Sequence, residues 1–520
     1  MAEFDAVIVG SGVNSLACGA LLARAGWSVC VLERNDWLGG AIHTAELTEP
    51  GYVHDVFSAW HPLWVGGAAH ALLGDDLAAR GLEYLNTELP TATAFPDGSA
   101  AFLLRDAEGN AAELGPEWPE VLGRFFPNAD LAFGLLGAEL WSASGLALAA
   151  KAYRRLGRAG LAAFTGELLQ SSRDWLRQTF ASERAHGVLA PWVLHTGLGP
   201  DAASSGFMTE VIAVAVQEGG MPIPRGGGAK LADALVQLIR DHGGTCETER
   251  DVERIVVRNG RAAGVRLAGG EVVEAGRAVI ANVTPTQLYE RLLDGPAPEG
   301  ARRFRYGRAE MQIHFALSGP ARWEGDERLN RTAIVHVTPG LDGVSRAVNE
   351  AERGLVPEEG TIVVGQPLTM DPSRAPDGKG LLWIQLQELP SRIEWNDELR
   401  ERYADRIQAR LARHIPNLES SIVRRVALGP HDLERMNVNL HRGDPYGGAL
   451  TLDQNFLWRP FPGSRGHATP VERLWHIGAS TWPGPGLGAG SGTLVAEQLL
   501  RAPLPRRLLA KVRTRRSTGP

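Results

Sequence analysis

Gly10, Gly12 and Glu33 are the residues whose types and spacing first promise chemistry. Gly10 permits a tight turn, Gly12 lets the backbone approach a pyrophosphate, and a carboxylate about 20 residues further on can accept both hydroxyls of an adenosine ribose. Glu33 would repel a 2′-phosphate, which disfavours NADP at this place. Ser15 stands where a third glycine is usual and is still small enough for a helix to lie on a strand. The elements that must position these groups are legible around them. Phe4–Val9 reads as a buried strand, GSGVNSLACGALLARAG as a glycine turn and amphipathic helix stopped at Gly26, and Ser28–Glu33 as a second strand ending in the acid. Strand, turn, helix, strand and acid in that order make a dinucleotide-binding unit, with the positive helix N-terminus toward the pyrophosphate.

The chain has 520 residues, more than one ordinary domain needs. Hydrophobic and charged fractions of 44% and 22% fit a globular protein and exclude bulk disorder, collagen and coiled coil. A net charge of −7 offers no global attraction to nucleic acid. Cys18, Cys30 and Cys246 form neither a C-x-x-C pair nor a metal spacing, so thiol redox chemistry, a disulfide framework and a metal site are not expected. The glycine pattern begins so early that no secretory signal is expected, and no apolar run reaches membrane-spanning length, so a cytoplasmic protein is expected.

Three later segments read as parts of the same nucleotide-binding fold. Met221–Gly244 is a glycine turn feeding a helix with Leu231, Leu235 and Leu238 on one face. Val252–Val257, Gly264–Leu267 and Ala278–Ala281 are strand patterns, with Asn259-Gly260 marking a hairpin turn. Leu474–Gly478 is a strand followed by ASTWPGPGLGAGSG and a helix over Thr493–Leu500, a turn suited to cradling a ligand. Between them, residues 96–220 are mostly helical. Residues 291–445 carry strand patterns at Met311–Leu317, Ala333–Val337, Ile362–Gln366 and Leu381–Glu388, then a helix over Asp397–His414.

The stretch RNDWLGGAIHT after Glu33 resembles the second phosphate-side loop of large FAD enzymes, and that resemblance selects FAD. Along nearly the whole chain the motifs resemble the phytoene-desaturase-like FAD oxidoreductases. Nearest are the branch with desaturase-type carotene ketolases and the pyridine-nucleotide-disulphide-oxidoreductase-domain-like proteins. The segments that carry the likeness include GGGAKLADAL, DPSRAPDGKGLLWIQ, GPHDLERMNVNLHRGDPYGGALTLDQNFLWRP and GASTWPGPG. The resemblance implies an α/β fold: a Rossmann-type FAD-binding domain, discontinuous in sequence (1–95, 221–290 and 446–505). An interleaved α+β substrate domain of antiparallel sheet plus helical cap (96–220 and 291–445) and a basic tail (506–520) complete it. It also implies cofactor contacts at Gly10, Gly12, Asn14, Ser15, Glu33, Arg34, Gly39, Gly40 and Val252, and beside the flavin ring at Gly478, Ala479, Gly486, Leu487 and Gly488. Where the family commonly has histidine, this chain has Trp482 and Gly447. An indole at 482 is expected to narrow the space beside the ring and exclude part of a long polyene.

The expected function is an FAD-dependent dehydrogenase that forms C=C bonds in a largely apolar small molecule. A flavin amine or amino-acid oxidase and a non-catalytic flavoprotein scaffold are the alternatives. No Ser/His/Asp constellation or paired carboxylates mark a catalytic base, so the catalytic residue stays unknown; Trp482, Trp60 and His441 are the pocket candidates. No second glycine fingerprint exists for NAD, which leaves dioxygen, a quinone or another redox partner as electron acceptor. Leu146–Phe164, with Lys151, Arg154, Arg155 and Arg158 opposite Leu146, Ala150, Tyr153 and Phe164, offers peripheral contact at the inner face of a membrane. The basic run Arg506–Arg516 offers the same contact.

Overall fold

A computed structural model describes residues 3–501, so the basic tail lies outside the described residues. Two seven-stranded sheets organise the chain. In the first, Phe4–Val9 lies between Val29–Leu32 and the second half of Val272–Asn282, parallel to both. Thr245–Glu247 extends one edge and Leu474–Ile477 pairs the far side of Val272–Asn282, again in parallel. Apolar runs such as AVIV and VCVL suit this position, because both faces are covered, one by helices and the other by the strands Val252–Arg258 and Arg261–Leu267. The helices Val13–Arg24 and Ala229–Asp241 pack in one core with Val495 and Ala496 of the helix Gly490–Leu500.

The hairpin Val252–Arg258 and Arg261–Leu267 joins the first half of Val272–Asn282 antiparallel. Its turn is Asn259-Gly260, both at positive φ, the backbone that matches strand twist in a two-residue turn.

The second sheet runs Ile422–Leu428, Ala309–Leu317, Gly380–Leu389, Ile362–Gly365, Ile334–Val337, Thr91–Ala94 and Ala100–Leu103. Thr91–Ala94 pairs in parallel with Ile334–Val337, so a boundary at 95 would divide a strand pair of this sheet. Sheet membership moves that boundary to before Thr91. The TATA segment alternates, with Ala92 and Ala94 in the core, but it is only four residues long and alanine is depleted in strands, so its signal in sequence is weak.

Ala309–Leu317 is buried along its whole length, yet its faces differ. Met311, Ile313, Phe315 and Leu317 enter one core with Leu382, Ile384 and Leu386 of the neighbouring strand. Glu310, Gln312 and His314 point the other way, as side chains alternate along a strand. Helices between residues 172 and 219 cover part of that second face. The long basic helix, Ala143–Leu169, is broken at Gly157, where φ is +66°; it is two helices rather than one amphipathic rod. Among the described residues no helix is long and apolar enough to cross a membrane.

Candidate active site

One large cleft lies between the sheets, with an open space of about 2380 Å³ including its mouth. Gly10, Gly12, Asn14, Glu33, Arg34, Gly39, Gly40, Val252, Ala479, Gly486 and Leu487 line it. The first helix begins at Gly12 with no side-chain cap, so its first N–H groups are free to meet an anion. The backbones of the two glycine loops touch: a Cβ on Gly40 would lie 3.0 Å from the Gly12 Cα. One on Gly12 would lie 3.0 Å from Asn282 Nδ2.

Three residues expected at the cofactor lie behind the cleft wall instead. Ser15 accepts a hydrogen bond from Asn282 Nδ2 at 2.9 Å and is fully buried. Gly478 crowds the same asparagine, since a Cβ there would sit 2.1 Å from Asn282 Oδ1. Gly488 packs on the Leu63 backbone. These positions need small residues for close packing, which in a sequence looks the same as contact with a ligand.

Ser11 and Asn282 are among the site residues that sequence reasoning missed. Ser11 donates its backbone N–H and its hydroxyl to Glu33 Oε2, at 2.9 and 2.7 Å, while Asn35 N–H reaches Oε1 at 3.0 Å. The Ser11 hydroxyl also accepts from Gly39 N–H at 3.1 Å. The acid, the first glycine turn and the second loop are thus tied together. Asn14 does the same for the chain ends: its Oδ1 accepts from Gly492 N–H at 3.0 Å, where two helix starts meet.

Further along the cleft the lining becomes aromatic and aliphatic, with Trp60, Trp192, Trp383, Ile212, Val216 and Met221. Trp60 stands edge-on to Trp383, ring centroids 5.2 Å apart. Glu310, Gln312, Gln385 and Gln387 form a polar strip on the sheet below. Burial drives the His195 imidazole down to about 4, so it stays neutral around neutral pH.

Neither Trp482 nor His441 lines the cleft. Trp482 is buried against Phe456 and donates its indole N–H to the Ala138 carbonyl at 3.0 Å. The expectation that it narrows the space beside the cofactor is therefore corrected: a nearby partner for the indole N–H draws the ring into the packing behind. His441 bonds Glu434 at 2.7 Å and lies over the Tyr306 ring, a structural arrangement. Asp397, His431 and Asp432 bring metal-ligand atom types together. Arg400 pairs with both carboxylates and Arg435 with Asp432, which makes the group an ion-pair network.

Residues 16–452 match the family described as flavin containing amine oxidoreductase. The chain belongs to that family. Pyridine nucleotide-disulfide oxidoreductase domain-containing protein 2 of Rattus norvegicus is 26% identical, over 96% of this chain and 94% of its own length. A zeta-carotene-forming phytoene desaturase of Myxococcus xanthus is 32% identical over 62% of this chain and 60% of its own. In fold, the chain is similar to cyclohexylamine oxidase from Brevibacterium oxydans IH-35A. The TM-score is 0.59 at 17% identity, over 96% of this chain and all (100%) of that one. This flavin-containing oxidoreductase is an FAD-dependent dehydrogenase or oxidase.

In this family member a buried charge cluster braces the cofactor side. Arg374 is 1% exposed and pairs with Asp55 at 2.5 Å and Asp371 at 3.4 Å. Asp55 in turn accepts from Gly228 N–H and the Thr44 hydroxyl, and Asp371 from Gly226 N–H. Three loops far apart in sequence converge on one guanidinium.

Glu33→Ala is expected to weaken FAD binding by about 1–3 kcal/mol, the scale of hydrogen bonds to a charged acceptor. Fluorescence titration of the apoprotein with FAD measures it. Unchanged affinity in a folded variant would remove Glu33 from the cofactor.

Proposed function

We propose that this enzyme dehydrogenates a largely apolar small molecule, taking hydrogen from adjacent carbons and leaving a C=C bond. One observation carries the reading: the glycine cradle opens directly into the aromatic and aliphatic wall of Trp60, Trp192, Trp383, Ile212 and Val216. When bound, FAD supplies the hydride acceptor. Gly10, Gly12 and the free N–H groups of the first helix would hold its pyrophosphate, with Arg34 beside them. Glu33 would take the ribose and the Val252 backbone the adenine. Gly39 and Gly40 close the loop over Gly12. Ala479, Gly486 and Leu487 would flank the ring. The apolar wall would orient the substrate and keep water out. Burial keeps His195 neutral, so it marks no dedicated base, and the departing proton passes to water or to a polar side chain of the lining. Dioxygen, a quinone or another redox partner would take the electrons onward. The names of the Myxococcus and rat relatives support oxidoreductase chemistry of this kind.

A second reading, oxidation at a C–N centre, is favoured by Glu310, a buried carboxyl in the cleft that would pair with an ammonium if the two met with Glu310 ionised.

A peripheral membrane contact, at the inner face in a cytoplasmic protein, would suit an apolar substrate. Trp141, Leu146 and Tyr153 are exposed, Leu146 at 74%, with Arg154 on the same helix as Leu146 and Tyr153 and Arg158 just past the break at Gly157. Asp130 neutralises Lys151 and Arg155, so half of the expected basic face is already paired.

The test is anaerobic mixing with phytoene-type polyenes, smaller terpenes and amines presented in anionic vesicles, following flavin absorbance and vesicle flotation. Bleaching by the hydrocarbons and co-flotation are expected. Bleaching by amines alone would replace the dehydrogenase reading, and a protein left at the bottom of the gradient at low salt would end the membrane contact.

A further inference from the structure

Glu310 is the least satisfied group in the cleft. It is 4% exposed, and among the described residues it has neither a hydrogen bond nor an ion pair; its Oε1 is sealed from solvent without a partner. Two amides on the same face share this condition, since Oε1 of Gln312 and Oε1 of Gln387 are also buried and bare. The Gln387 amide has its orientation fixed. Tyr446 donates its hydroxyl to the Leu194 carbonyl at 2.7 Å, which leaves the phenol oxygen to accept from Gln387 Nε2 at 3.0 Å. The amide oxygen is therefore the free end. Leaving such atoms unpaired is costly, and the three side chains that carry them line one cavity.

The kind of ligand follows from the chemistry of the receptor. Burial, with the Asp444 carboxylate nearby, pushes Glu310 up to about 8, so at neutral pH it carries its proton. A protonated carboxyl donates one hydrogen bond, and the Gln387 oxygen requires one. An ammonium only donates and a carbonyl only accepts. A hydroxyl does both, whereas an alkylamine, an ammonium at neutral pH, must lose a proton before it can accept.

We propose that Glu310, Gln312 and Gln387 recognise a hydroxyl group on the substrate, making the substrate class an alcohol with an extended apolar body. This rests on the dehydrogenase reading above, with the hydroxyl as the handle that sets which carbons face the cofactor. Glu310 would then determine specificity, holding the substrate's polar end while the tryptophans hold its apolar length.

The test separates recognition from turnover. Farnesene, farnesol and farnesylamine are titrated calorimetrically into dithionite-reduced holoenzyme, in which flavin reduction cannot occur. Farnesol is expected to bind about tenfold or more tighter than farnesene, the yield of one or two well-placed hydrogen bonds. Glu310→Leu should erase that preference while keeping farnesene affinity, and Glu310→Gln, which keeps a neutral donor and acceptor, should retain most of it. Removing an unpartnered carboxyl should leave the Glu310→Leu melting temperature equal or higher; should that variant fail to fold, Gln387→Leu reads the same preference. Equal affinity for farnesene and farnesol would overturn the hydroxyl receptor, as would tighter binding of farnesylamine. Bleaching of the oxidised enzyme by farnesene, measured separately, would show that the dehydrogenase reading survives either failure.

Discussion

Arg374→Met should unfold at much lower temperature than the parent enzyme, with a loss of about 3–5 kcal/mol, the usual result of removing one partner from a buried ion pair. The guanidinium lies between Asp55 and Asp371, both almost wholly buried, and methionine fills similar space without charge. Two carboxylates then face each other without a cation. The damage should reach the cofactor side, since Asp55 holds Gly228 N–H and Thr44 while Asp371 holds Gly226 N–H. Calorimetry with and without added FAD reads both effects. Neutralising the acids as well, in Asp55→Asn/Asp371→Asn/Arg374→Met, should restore part of the loss, because the stranded charges cause most of it. An Arg374→Met melting temperature equal to that of the parent would show that the cluster is not what braces these loops.

Gly12→Val is expected to yield a folded but colourless protein, with FAD affinity reduced on the order of a hundredfold or more. At Gly12 φ is −57°, so the backbone itself would tolerate a side chain. Space is what forbids it. A Cβ would press on Asn282 Nδ2 at 3.0 Å, and the Gly40 backbone lies against the Gly12 Cα. The branches of valine must either push those apart or stand where the pyrophosphate approaches the helix start. Absorbance of the purified variant and the FAD released on denaturation decide it, and full occupancy would refute the assignment.

The first strand, helix and second strand are legible because a parallel strand buried on both faces needs a continuous apolar run, and glycine marks each turn. The hairpin at Asn259-Gly260 is legible for a related reason: few residue pairs accept positive φ twice in succession. The expected helix over Asp397–His414 ends at Leu411, a difference of a frayed last turn. Other features depend on tertiary context. Ser11 is one serine among many until Glu33 folds back beside it. Trp482 looks like a pocket residue because it follows a glycine-rich strand end, yet the Ala138 carbonyl gives its N–H a better place. The polar strip carries a signal in the sequence: AEMQIHFAL and LLWIQLQEL alternate at a period of two, with Glu310, Gln312, Gln385 and Gln387 in the polar register. On a strand covered on both sides, such a register marks a cavity rather than solvent.

The contact between Asn14 and Gly492 sets an order of events during synthesis. One edge of the first sheet is supplied by Leu474–Ile477, and the helix that meets the opening turn starts at Gly490. The 478 positions from Asn14 to Gly492 must therefore be made before the cradle can close, whereas the strand–helix–strand unit around Gly12 is made first and waits with its helix start uncovered. Contacts this distant in sequence form slowly, because a long loop must close before they contribute anything. Cofactor capture thus waits on the helix Gly490–Leu500, and a chain interrupted before Gly490 would leave the ribosome with an open site.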